Sequence, residues 1–111
     1  MKYHGKTAGL HKVWDGGVGA FEGESTTEHA MEISTSIRSA YPKSFFGDRA
    51  DDTNPENWAK EGMDNAKNSV YNTDEDGDVS ENYITAGQKL AEQEAALAGY
   101  RLAALLNELL A

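Results

Sequence analysis

Wound at 3.6 residues per turn, the last third of the chain collects its apolar side chains on one side. Ile84, Leu90, Leu97, Leu102, Leu105, Leu106 and Leu109 recur in steps of three, four and their sums, with alanines between them. This predicts one long helix from about Ser80. Upstream, Ser25, Thr26 and Thr27 offer N-caps to Glu28–Ala40, where Met31, Ile33, Ile37 and Tyr41 are spaced for an amphipathic helix that Pro42 ends. A third start signal lies at Thr53-Asn54-Pro55-Glu56, where Thr53 and Glu56 fit a capping box and Pro55 stands near the first helical position. The helix beyond it carries Trp58, Ala59, Ala66 and Val70 and is expected to run to about Tyr71. Trp58, Tyr71, Leu102 and Leu105 are the residues expected to hold these helices together.

The first 24 residues read differently. Gly5, Gly9, Gly16, Gly17, Gly19 and Gly23 surround the short segment Leu10–Asp15, which predicts loop around about one helical turn. Strand-like alternation is confined to Lys2–Lys6, and no internal repeat is found. The expected fold is all-α, with three main helices and a Gly-rich irregular N-terminal segment, residues 1–111 forming one domain.

Composition narrows what such a fold can do. At 111 residues and 12.1 kDa the chain has material for one modest core, and little for a deep, water-excluding cleft. Hydrophobic residues make up 39% and charged residues 26%, with a mean hydropathy of −0.66, the range of a folded soluble chain. No run approaches the ~18 apolar residues of a membrane span, and no secretory signal is legible behind Met1-Lys2-Tyr3-His4. Nineteen acidic against ten basic residues give a charge of −9. Such a field repels phosphate, so any chemistry on nucleic acid must rest on a local site such as a metal cluster. With no cysteine, the strong ligands available are carboxylates and three histidines, His4, His11 and His29.

Three constellations are candidates for chemistry. His11 and Asp15, four residues apart, share one face of a helical turn and together could hold a zinc ion; an exposed ion pair is the plainer reading of the same spacing. The loop from Asn72 to Tyr83 reads like a calcium loop, with oxygens at Asn72, Asp74 and Asp76, then Gly77, Asp78, Val79 and Ser80. Tyr83, however, stands where a bidentate glutamate would close the shell, and a solvated acidic turn is the simpler alternative. The aromatics Trp14, Trp58, Tyr71 and Tyr83 suit a core better than a cleft, while Phe45-Phe46 could serve either. His29, at a helix start, and His4, near the terminus, have no partner legible in the sequence.

Three blocks, in order, resemble a known family. They are Leu10-His11-Lys12-Val13-Trp14-Asp15, then Pro55-Glu56-Asn57-Trp58-Ala59-Lys60-Glu61 ending in Val70-Tyr71, and finally Ala98-Gly99-Tyr100-Arg101-Leu102-Ala103-Ala104-Leu105-Leu106-Asn107. Together they resemble the C-terminal half of the zinc-dependent, single-strand-specific nucleases of the S-one/P-one type, whose helical fold is shared with bacterial zinc-dependent phospholipase C. The resemblance implies hydrolysis of phosphodiester bonds in single-stranded DNA and RNA, endonucleolytic and with 3′-nucleotidase activity, by a zinc cluster. It places zinc ligands at His11 and Asp15, with Trp14 and Trp58 as packing residues.

The family draws its other ligands from an N-terminal half without counterpart in these residues. The resemblance therefore implies a truncated form, weak or inactive alone, that needs a missing half or a homo-oligomer. Gly62 stands where a serine commonly follows the Trp-Ala-x-Glu block, and Gly16 follows Asp15 where several members have a polar residue. Members are usually secreted or periplasmic. Two other classes remain open: a calcium-binding module built on residues 72–83, and a helical interaction protein whose leucine face meets another chain.

Overall fold

A computed structural model describes residues 2–3, 6–7, 9–73 and 79–111. Its organising element is α5, Glu81–Leu110, a 30-residue helix that at 1.5 Å per residue accounts for most of the 50 Å long axis. Ser80 starts it, its Oγ accepting from the Tyr83 N–H at 3.0 Å. The chain begins with strands β1 (Lys2–Tyr3) and β2 (Lys6–Thr7), which form a two-residue antiparallel ladder. Helix α1 (Leu10–Asp15) leads into a 3-10 turn at Gly17–Gly19, and α2 (Thr27–Ala40) follows. Next come α3 (Lys43–Phe46) with a second 3-10 turn at Gly47–Asp51, and α4 (Pro55–Asn65) with a π-helical turn at Ala66–Val70. Helices α2 and α3 and the intervening turns pack along α5. The all-α expectation stands, with two short helices, α1 and α3, added to the three main ones.

The core is small and divided along α5. At one end Phe46, Ala50, Ala96 and Leu97 are buried together, with Ile37, Tyr41 and Tyr100 packed against them. The Tyr100 hydroxyl donates to the Tyr41 carbonyl at 2.9 Å, tying the end of α2 to α5. At the other end Val13 and Val18 are buried, and Gly87 lets Val18 and Trp14 approach α5. A Cβ at Gly87 would meet Val18 Cγ2 at 3.1 Å and Trp14 Cη2 at 3.3 Å. The Gln88 side chain also donates to the Val18 carbonyl at 3.1 Å, and Val18 holds a φ of 55° there.

The helix boundaries depart from the sequence reading in two places. The cap of α4 is Asn54, whose Oδ1 accepts from the Glu56 N–H at 3.0 Å, and not Thr53. The cause is Asp52, which accepts from the Asn54 N–H at 2.9 Å and from Asn57 Nδ2 at 2.8 Å and turns the chain one residue later. At the far end the α-helix gives way to the π turn, which swings Tyr71 outward. Tyr71 is 69% exposed and Leu102 58% exposed, so neither holds helices together. Trp58 and Leu105 are half-buried, as expected of packing residues. Of the aromatic pair, Phe46 joins the core and Phe45 stays outside.

The accessible surface is 7795 Å², against roughly 6000 Å² expected for a folded monomer of this mass. The excess is apolar in part: Leu102, Leu106, Leu109 and Leu110 form an uncovered stripe on the C-terminal half of α5.

Candidate metal centre

Helix α1 is a single turn and a half, opened by Gly9 in extended conformation and closed by Gly16. A helix this short has too few internal hydrogen bonds to stand alone. It is held from beneath by Val13 and by Trp14. The Trp14 indole N–H donates to the Tyr83 hydroxyl at 2.8 Å, and that hydroxyl donates onward to the Val70 carbonyl at 2.6 Å. The two rings meet edge to face, 6.1 Å between centroids and 87° between planes. Burial pushes the Tyr83 hydroxyl above its ordinary value of 10.0, against the Trp14 hydrogen bond, so it stays protonated and serves as acceptor and donor at once. Trp14 is thus the packing residue expected of it, and Tyr83 is the anchor the sequence did not reveal.

With Val13 and Trp14 turned inward, the other face of α1 presents His11 and Asp15 to solvent, their side chains 92% and 68% exposed. Nε2 of His11 lies 3.3 Å from Oδ2 of Asp15. That separation is close to the edge of a tetrahedron with bonds of about 2.0–2.1 Å, so the two donors fit one shared zinc ion as readily as they fit a hydrogen-bonded ion pair. They are two donors where a catalytic zinc takes three from protein. Among the described residues no group of three or more His, Asp or Glu is placed to hold a metal. His29 is engaged elsewhere, its Nε2 3.3 Å from the Glu22 carbonyl and its Nδ1 4.0 Å from Glu32.

Of the calcium candidates, Asn72 is exposed beside the π turn, its N–H donating to the Ser69 carbonyl at 3.3 Å. Asp74, Asp76 and Asp78 lie outside the described residues. Ser80 is occupied as the α5 cap, and Tyr83, at the closing position of that loop, is committed to Trp14 and Val70.

The remaining sequence blocks meet at the other end of α4. Arg101, 7% exposed, donates from Nη2 to Glu61 Oε2 at 2.6 Å and from Nε to the Arg49 carbonyl at 2.9 Å. Its guanidinium lies 5.7 Å from the centroid of the Trp58 ring, whose N–H donates to the Asp52 carbonyl at 2.7 Å. Arg49 closes the group, its Nε donating to Glu61 Oε1 at 2.8 Å. Burial pushes the Glu61 carboxyl up, but hydrogen bonds from Arg49 and Arg101 and their charges outweigh it and hold the group below 4.5. Trp58 therefore braces α4 against α5. A charge-complementary Glu and Arg in two separate blocks was the only sign of this bridge in the sequence.

The first two blocks are thus packed onto α5, which carries the third, and the sequence as a whole, residues 1–111, matches the S1/P1 nuclease family. The chain belongs to the S1/P1 nuclease family. Neither the curated proteins nor the solved structures include a match to it. Membership gives the chain a nuclease-like character in a family that acts on nucleic acid and depends on zinc. Among the described residues no helix is long and apolar enough to cross a membrane.

Proposed function

We infer that the chain is part of a zinc-dependent hydrolase that cleaves phosphodiester bonds in single-stranded DNA and RNA, with endonuclease and 3′-nucleotidase activity, and that His11 and Asp15 hold one of its metal ions. The observation that carries the reading is the 3.3 Å His11–Asp15 pair, turned to solvent on a braced turn, in a chain whose full length matches the family. Zinc bound there would polarise a phosphoryl oxygen and acidify water. The chain's own part is to present the His11 Nε2 lone pair and the Asp15 carboxylate on one rigid face. Val13, Trp14 and Tyr83 keep that face from shifting. Since two donors fall short of a catalytic set, full activity draws further ligands from another polypeptide segment, whether a separate half or a second copy, and the chain alone is weak or inactive.

The test is zinc-dependent cleavage of single-stranded DNA by the purified chain, beside a His11→Ala, Asp15→Ala double variant, with zinc binding measured on both. Zinc binding that the double variant loses, with little or no cleavage by either, is the expected result. Wild-type zinc binding that survives the double substitution overturns the assignment. The uncovered leucines of α5 favour a second reading, a non-catalytic helical interaction module. That reading predicts association through α5 with no dependence on His11.

A further inference from the structure

The uncovered face of α5 changes character along its length. Ala95, Gly99, Leu102, Leu106 and Leu109 follow one another in steps of four and three, the spacing of a coiled-coil seam, and all five are exposed. The row lies on the side of α5 opposite Leu97 and Arg101, which are buried against the rest of the chain. Its first half is small and its second half large. We propose that the row is a self-complementary interface, on which a second copy of the chain docks its own α5 antiparallel, Ala95 facing Leu106 and Gly99 facing Leu102 across a two-fold axis. This rests on the second reading of the α5 leucines, as a surface for another chain, and adds which chain and in what register.

Area, shape and charge select that partner. The accessible surface of 7795 Å² exceeds that of a folded monomer of this mass by roughly 1800 Å², and a stable interface of ordinary size removes about 800 Å² from each partner. Beside Ala95 and Gly99 the row opens into an apolar groove of about 670 Å³ between α2 and α5, walled by Phe21, Ala30, Ile33 and Ile37. Helix α2 has no buried residue, so one copy leaves this groove without a cover. In the antiparallel register Leu106 of one copy comes level with Ala95 of the other, and Leu109 continues toward the Phe21 end of the groove. A parallel pairing would set leucine against leucine and leave Ala95 and Gly99 facing a gap. Gly99 fits the same account. A Cβ there meets nothing within 4 Å among the described residues, so the chain's own packing does not call for the glycine, which weakens a helix interior. A facing helix at the usual 8–10 Å between axes does call for it. From Ala95 to Asn107 the one charged residue is Arg101, paired with its own Glu61 at 2.6 Å. Two chains of net charge −9 therefore meet along this face without opposing carboxylates.

The register also fixes what the dimer does not do. Helix α1 docks beside Tyr83 and Gly87, and the two-fold axis passes between Tyr100 and Arg101. At 1.5 Å per residue the two His11–Asp15 turns lie roughly 40 Å apart. Such a dimer completes no metal site, so dimerisation and zinc binding are separable.

The experiment is sedimentation equilibrium of the full chain, with far-UV circular dichroism on every variant. Wild type is expected to be a dimer at micromolar concentration. Leu102→Glu changes a side chain that is 58% exposed in one copy. It is expected to keep the helicity and weaken association at least about a hundredfold, since each dimer loses two buried leucines. Gly99→Leu sets leucine against Leu102 and is expected to weaken association about tenfold. The chain has no cysteine, so disulfide trapping reads the register: Ala95→Cys mixed with Leu106→Cys is expected to cross-link more than either alone. A wild type that is monomeric or larger than a dimer, association unchanged by Leu102→Glu, or Leu106→Cys cross-linking chiefly to itself overturns the proposal. The His11→Ala, Asp15→Ala variant separates the readings. It is expected to dimerise as wild type does, and loss of the dimer in it overturns the register. A dimer together with zinc binding that survives the double substitution refutes the metal assignment alone. A monomer whose zinc binding depends on His11 refutes the dimer alone.

Discussion

Replacing Glu61 by alanine is expected to destabilise the chain far more than a surface carboxylate would. Arg101 is 7% exposed, and its Nη2 has Glu61 as its anionic partner at 2.6 Å. Breaking a buried ion pair by removing one member costs about 3–5 kcal/mol, because the other charge is left uncompensated. Here the lower end applies. The Glu61 side chain keeps 23% of its exposure, and Arg101 retains the Arg49 carbonyl at 2.9 Å and the Trp58 ring. A loss of about 3 kcal/mol follows, a fall in Tm of roughly 10–20 °C for a chain of this size. Urea unfolding at pH 7, followed by far-UV circular dichroism, measures it. A double variant, Glu61→Met with Arg101→Met, removes both charges and is expected to recover most of the loss. Pairing also lowers the Glu61 carboxyl below its ordinary 4.5, with the sign of a carboxylate stabilised in the folded state. Its contribution is complete above 4.5 and disappears as pH falls through the lowered folded value, so Glu61→Gln should flatten the acid limb of the stability profile. A Glu61→Ala loss below about 0.5 kcal/mol, typical of an exposed pair, would refute the reasoning, as would additive single and double variants.

Tyr83→Phe removes the hydroxyl that joins Trp14 to Val70; zinc affinity in a competitive chelator titration should fall several-fold while helicity is kept, and unchanged affinity would show that α1 needs no such anchor. Gly87→Leu drives a side chain into Val18 and Trp14, 3.1 and 3.3 Å from a Cβ there, and should cost about 1–3 kcal/mol with loss of the Trp14 near-UV signal. Thr26→Ala removes the side-chain oxygen that accepts from the His29 N–H at 3.1 Å. About 1 kcal/mol is expected, the usual worth of an N-cap, by thermal unfolding.

What was legible in the sequence was local. Ser80 and Thr26 cap helices because a hydroxyl reaches a backbone N–H three residues on, a relation that needs no knowledge of the rest of the chain. The leucine spacing declared α5 for the same reason, and the i, i+4 spacing of His11 and Asp15 placed both on one face of α1. Prediction failed where a side chain answered to a remote partner. The hydroxyl of Thr53, read as a cap, lies 3.4 Å from Glu108, while Asp52 shifts the helix start to Asn54. Tyr71 and Leu102 obey the helical period and still face solvent, since periodicity defines a face without saying whether another element covers it. The bridge from Glu61 to Arg101 spans 40 residues, and that from Trp14 to Tyr83 spans 69. Such pairings follow from how α1 and α4 dock on α5, and the docking depends on close fits such as Gly87 beneath Val18. Spacing along the chain thus determined which residues could act together on one turn of helix. Tertiary packing alone decided that the His11–Asp15 turn is braced by Tyr83 and that Glu61 meets Arg101.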